Sequence, residues 1–284
     1  MTGAPRLLVI ALLWAGVTQV APPPLPDVSA EELTRRVRQA VQLDYQIQNQ
    51  FTYLELRRDV KFSKLGKVTV GPPRTFQVVP EPARGRTYKR LIAENGVPLS
   101  AADLARRDAE HQKNIADAEQ RARHETPAER AERMAHAASE QRERDQMLED
   151  AFRVFDATIE GRTEVDGQPV LIARMTPRRD AQVTTREGRW MKHFEGQLWI
   201  AEADYQIVKI DMRAASDVII GWGVVGRIHK GTRVLYARRR FENAWLPAET
   251  TYEASGRTLI FRPFQFKVTT TFSDYRRRDK SMND

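Results

Sequence analysis

Five histidines, His111, His124, His136, His193 and His229, are the residues best suited to proton transfer or metal ligation in this chain. No two stand four apart, the spacing that sets two imidazoles on one helical face for zinc, and His124-Glu125 runs into Thr126-Pro127 rather than a second histidine. Cysteine is absent, which removes disulfides, thiolate metal sites and thiol nucleophiles. No serine occupies a G-x-S-x-G turn. Acids crowd residues 100–155, where solvated helical faces account for them without a catalytic pair. The expected chemistry is therefore binding, with no catalytic residue, no metal and no cofactor.

Two further patterns need weighing. Residues 221–226, Gly-Trp-Gly-Val-Val-Gly, spell G-x-G-x-x-G, and Glu242 lies near the distance of a ribose-binding acid. A dinucleotide site needs a helix after the third glycine, so that its amides face the pyrophosphate. Residues 227–241 instead alternate like a strand, and Gly231 interrupts any helix, so strand-turn-strand is expected. The second pattern is a pair of arginine runs, 238–240 and 276–278. On a strand, Arg238 and Arg240 share a face with Tyr236, while Arg239 shares the other with Leu235 and Phe241. Either the guanidinium stems lie over aromatics on a solvated outer face, or Arg239 turns inward to meet an anionic headgroup or to hold a lid.

The elements that must position such residues follow from composition and period. The 284 residues carry a net charge of +8, and 41% are apolar, enough for one elaborated domain or two small ones. A basic surplus admits nucleic acid, anionic lipid surfaces or acidic small molecules as partners. Residues 7–20 form an apolar run too short to span a bilayer, behind a single positive charge, so 1–21 reads as a signal peptide and 22–28 as a proline-rich linker. An uncleaved anchor is the other reading of that run. Export disfavours nucleic acid as a partner, and no RNP1-like stacking motif is present.

Ser29-Ala30-Glu31-Glu32 matches a capping box, and Leu33, Val37, Ala40 and Val41 make one apolar helical stripe behind it, so an amphipathic helix is expected to about Gln48. Strands are expected at 51–62, 67–79 and 86–93, with Pro72-Pro73 marking an edge or bulge and Asn95-Gly96 a turn. Residues 100–155 differ in kind: alanine-rich, free of glycine, with thirteen acidic against ten basic residues, they read as an inserted and mostly solvated helical hairpin. The basic surplus therefore lies in the strands. Asp166-Gly167 turns one hairpin, residues 196–212 alternate cleanly as another, and 178–188 reads as a mobile loop. Strands follow at 214–225, 227–241, 245–254 and 259–272, then a flexible charged tail at 276–284.

The 196–212 stretch, with Leu198-Trp199-Ile200 and then Tyr205-Gln206-Ile207-Val208-Lys209, resembles the hairpin of the LolA-like periplasmic family of outer-membrane lipoprotein-sorting proteins. Phe241-Glu242-Asn243-Ala244-Trp245-Leu246-Pro247, Phe272-Ser273-Asp274-Tyr275 and Phe51-Thr52-Tyr53-Leu54-Glu55 carry the same resemblance. It implies an α+β fold: a curved antiparallel sheet, an incomplete β-barrel, with the N-terminal helix over its concave side. The half-barrel would comprise 29–99 and 156–275, interrupted by the hairpin 100–155. It also implies a periplasmic, non-enzymatic carrier for a lipid, acyl chain or lipidated protein. The residues expected to face its cavity are Leu54, Leu56, Leu198, Ile200, Val208, Ile210, Met212, Phe264 and Phe266, with Arg239 for an anionic group. The alternative is a cell-envelope interaction or sensor module with a filled core, using the 100–155 hairpin to meet a protein partner. Peripheral contact with an anionic membrane is compatible with either.

Overall fold

The structure is a computed structural model that describes residues 29–62, 68–81, 86–220, 226–258 and 262–278. The expected signal peptide, the linker, most of the G-x-G-x-x-G stretch and the end of the charged tail lie outside the described residues. Helix α1 spans Ala30–Gln48. Ser29 Oγ accepts the Glu32 amide at 3.2 Å, and Leu33, Val37 and Ala40 are buried on its apolar stripe.

Strands β1 (Phe51–Phe62), β2 (Val68–Val70), β3 (Arg74–Glu81), β4 (Arg86–Glu94) and β5 (Val97–Pro98) come next. The expected strand 67–79 is two strands, because prolines at 72 and 73 have no amide to give a ladder. Helices α2 (Ala101–Arg123) and α3 (Pro127–Val154) follow, the second opened by a Thr126–Glu129 capping box. The chain then runs through β6 (Phe155–Val165), β7 (Gln168–Pro177), the short α4 (Arg186–Met191), β8 (Phe194–Ala201), β9 (Ile207–Ala214), β10 (Val218–Ile220), β11 (Gly226–Ile228), β12 (Arg233–Phe241), β13 (Ala244–Thr258) and β14 (Arg262–Arg277). Asn95-Gly96 and Asp166-Gly167 hold positive φ at both residues, the mirror-image turn that matches strand twist.

All these strands pair antiparallel in one sheet, ordered β5-β4-β3-β1-β14-β13-β12-β9-β8-β7-β6, with β2, β10 and β11 extending it at the side. β5 and β6 do not pair, so the curved sheet stays an incomplete barrel. The fold is α+β. Residues 100–155 join those two opposite edges. At one edge α2 docks on β3 and β4: Asp108 accepts from Arg90 at 2.7 Å and from Tyr88 at 3.3 Å, and His111 stacks on Tyr88 while contacting Glu81 at 2.8 Å. At the other edge Phe152 of α3 packs into the core beneath α1.

The loop expected to be mobile, 178–188, is held at its end. Asp150, 0% exposed, accepts the amides of Thr184 and Thr185 at 3.0 and 2.7 Å and the Thr185 hydroxyl at 2.8 Å. Burial pushes its carboxyl up, but these hydrogen bonds outweigh burial and hold it below the ordinary aspartate value. Sequence reasoning counted Asp150 among solvated helix acids; its partners lie in a segment with no periodicity to announce them.

Candidate functional site

Directly opposed residues on neighbouring strands share a face. Such pairs link Ala173 to Leu198, Ile210, Tyr236, Thr250 and Thr270, and so trace one face across the sheet from β7 to β14. At the β7–β8 side that face is covered: Leu33 and Val37 of α1 pack on Leu171, Ala173 and Ile200, with Phe152 and Ile159 at the border. Farther on, Ile47 near the helix end meets a cluster of Phe51, Ala244, Leu246 and Tyr275.

Between that cluster and the free strand ends the same face is open. It forms a groove of about 560 Å3 floored by Phe266, Val268 and Phe272 of β14, Tyr252 and Ala254 of β13 and Val234 of β12. Thr232, Thr250 and Thr270 lie among them, and Glu55, Arg57, Lys89, Arg233 and Glu253 border it. Gly256 opens its outer end: a Cβ there would sit 2.6 Å from Phe264 Cζ and 2.2 Å from the Arg227 carbonyl. Glycine is thus what allows β11 and the Phe264 ring to approach so closely.

The border is polar but internally matched. Lys89 Nζ donates to Glu55 at 2.6 Å; the carboxylate side chain is 8% exposed and the lysine 53%. Arg57 and Arg74 both hold Asp59, at 2.8 and 3.0 Å. Burial raises the Asp59 carboxyl, yet the two guanidinium groups bring it below its ordinary value. At the inner end, burial pushes the Tyr53 hydroxyl up to about 12, so it stays protonated throughout the physiological range. The constellation offers an apolar floor with a few fixed charges and no nucleophile beside a base. A second cleft, about 440 Å3, lies between the start of α1 and β6, but Glu31, Arg35, Arg38, Asp156 and Arg178 line it and suit an apolar chain poorly.

The structure divides the residues expected to face a cavity. Phe264 and Phe266 stack at 5.9 Å at the groove's outer end. Leu198 and Ile200 belong to the core under α1. Ile210, opposite Leu198 and Tyr236, and Met212, opposite Val234, lie on the same face between the two regions. Leu54 and Leu56 do not share it: Glu55 and Arg57 border the groove, and alternation turns the two leucines to the outer face. Val208 is also on the outer face, packed with Val170, Ala201 and Trp245, because the β8–β9 register shifts between Trp199 and Ile200.

Arg239 is exposed, and its neighbour Arg238 is the buried arginine. Arg238 donates to Asp44 of α1, to the Trp245 carbonyl, and to the Ile207 carbonyl at 3.1 Å. It pins the helix to three strands. Unbroken alternation along β12 sets Arg238 with Tyr236 on the inner face and Arg239 on the outer one, and the register shift between Ala237 and Arg238 leaves its extra residue, Ala248, on β13. Sequence reasoning also missed the groove's Tyr252, Val268 and Phe272. Val268 and Phe272 continue the Phe264–Phe266 alternation, a signal present in the chain.

No protein-family model and no curated protein matches this chain. Among solved structures it is similar to a LolA superfamily protein from Nitrosomonas europaea, 9% identical, covering 89% of this chain and 94% of that one at a TM-score of 0.28. A DUF1329 family protein from Desulfovibrio piger is 11% identical over 87% and 94% of the two chains, at 0.27. MucB, in a complex with MucA(peri), is 11% identical over 89% and 100%, at 0.23. The fold described above rests on strand register rather than on these scores.

Proposed function

We propose that this chain is an exported, periplasmic, non-enzymatic binding protein that holds an acyl chain, a lipid or a lipid-modified protein in the inner-face groove. The observation that carries the reading is the groove itself, a concave apolar floor left uncovered on a face that is elsewhere sealed by a helix. Its volume falls within the roughly 300–1,000 Å3 of small-molecule sites. Covering about 300 Å2 of acyl surface at about 25 cal/mol per Å2 contributes about 7 kcal/mol before ordering costs. The charges at the border suit a polar head left near solvent.

A second reading, an envelope interaction module, draws support from the long solvated faces of α2 and α3 and their attachment to both sheet edges. Titration with a fluorescent fatty acid, alongside native mass spectrometry of protein extracted under mild conditions, separates the two. Saturable binding, or co-purifying lipid, is expected. Repeated absence of both rejects the carrier and leaves the interaction module.

A further inference from the structure

We infer that the strand ends at the groove's mouth form a docking surface for an anionic lipid bilayer. Strand register brings these ends together. Val60 lies opposite both Val70 and Lys267, and Phe62 opposite Val68 and Gln265. Arg257 lies opposite Pro263 and Arg227, and Arg227 opposite Ile219. β2, β1, β14, β13, β11 and β10 therefore finish at one end of the sheet. Phe264 and Phe266 open the groove at that same end.

Two features of this end are unusual for a surface with no partner. Val68, Val70 and Ile219 are 52%, 64% and 54% exposed, three of the few large apolar side chains left in solvent. By register Arg58 and Lys267 share the outer face with Val68 and Val70, and Arg227 and Arg257 share it with Ile219, while Lys61 and Arg262 stand on the groove face of the same strand ends. The acids near them are Asp59, Asp217 and Glu253. Asp59 is already taken by Arg57 and Arg74, Asp217 holds Arg227 at 3.3 Å, and Glu253 holds Lys267 at 3.9 Å. Arg58, Lys61 and Arg262 are exposed and have no ion pair among the described residues. Nor are these cations masked by the helical arm, since α2 docks near β4 and α3 at β6.

Free cations and exposed aliphatics on the two faces of one strand-end rim match a negatively charged headgroup layer above an acyl boundary. An acidic protein would answer the charge, but it would need a shaped apolar counterpart for side chains scattered over separate strand ends. A bilayer needs none, and its surface is where an acyl chain would enter or leave the groove.

The test is co-sedimentation of the full chain with vesicles of phosphatidylglycerol and phosphatidylethanolamine, compared with phosphatidylcholine alone. Binding to the anionic vesicles, reversed by high salt, is expected. Replacing Arg58, Lys61 and Arg262 together by Gln should weaken partition on the order of a hundredfold. Replacing Val68 and Val70 by Asp should also weaken it, with an unchanged circular dichroism spectrum showing that the sheet is intact. Equal partition to neutral vesicles, indifference to the triple replacement, or retention on polyglutamate with no vesicle binding would each overturn the inference. Fatty-acid binding, measured on the same samples, keeps a failure of the groove distinct from a failure of the docking surface.

Discussion

Over β7 and β8 the inner face of the sheet meets Leu33 and Val37 of α1 and becomes ordinary core; over β12, β13, β14 and β1 the same face holds a groove. The strands do not differ in kind, since both regions alternate and both present aromatic or aliphatic side chains inward. What differs is the cover. The nineteen residues of α1 reach about 28 Å, and their buried stripe stops at Ala40 and Val41. Beyond it Leu43 is exposed, Asp44 turns to Arg238, and only Ile47 packs again, on the Phe51 cluster at the groove's inner end. One helix stripe thus decides which half of the face is core and which half is left open.

The two halves should respond differently to truncation. Leu171→Ala, under α1, should cost about 3 kcal/mol in chemical denaturation, whereas Val268→Ala in the groove should cost less than about 1 kcal/mol. Comparable losses would mean that the groove is packed in solution.

Asp150 sharpens the picture of the covered half, because it ties the end of α3 to the start of α4. Asp150→Asn should cost about 2 kcal/mol by weakening bonds to the Thr184 and Thr185 amides and hydroxyls. The folded carboxyl sits below its ordinary value, so its contribution is complete above the unfolded pKa and fades as pH falls through the lowered folded value. Acid unfolding below about pH 4 should therefore be shallower in the variant than in the parent protein.

In the open half the expected effect is on binding. Phe266→Ala should lower fatty-acid affinity about tenfold, the loss of roughly half the transfer free energy of a buried phenyl group, with little change in midpoint temperature. The smallest effect should come from Arg239→Gln, within about 0.5 kcal/mol in stability, as for an exposed side chain without a special role. A large loss there would restore the alternative in which Arg239 turns inward.

Much of this was legible before any coordinates. Period-two patterning and the Asn95-Gly96 and Asp166-Gly167 turns located the strands, and the Thr126 capping box and Pro127 marked the start of α3. Facing was harder. Alternation assigns a side only while register is unbroken, and the shift at Trp199/Ile200 is where Val208 was misplaced; for Arg239 alternation held, and what it left open was which face turns inward. Leu54 and Leu56 failed for a different reason: apolarity pointed them inward, but Glu55, paired with Lys89 of β4, and Arg57, paired with Asp59 two residues on, hold the groove side. Asp150 was invisible because its value depends on contacts more than thirty residues away. The groove became visible only once the extent of α1 was known.

Occupation of the open half by an apolar chain can be tested in the intact protein. A fatty acid bearing a terminal photoreactive group, crosslinked to the full chain and mapped by peptide mass spectrometry, addresses it directly. Crosslinks are predicted on β13 and β14 around Tyr252, Phe266 and Phe272, competed away by unlabelled fatty acid. Labelling confined to β7 and β8, or no competed labelling at all, would contradict it.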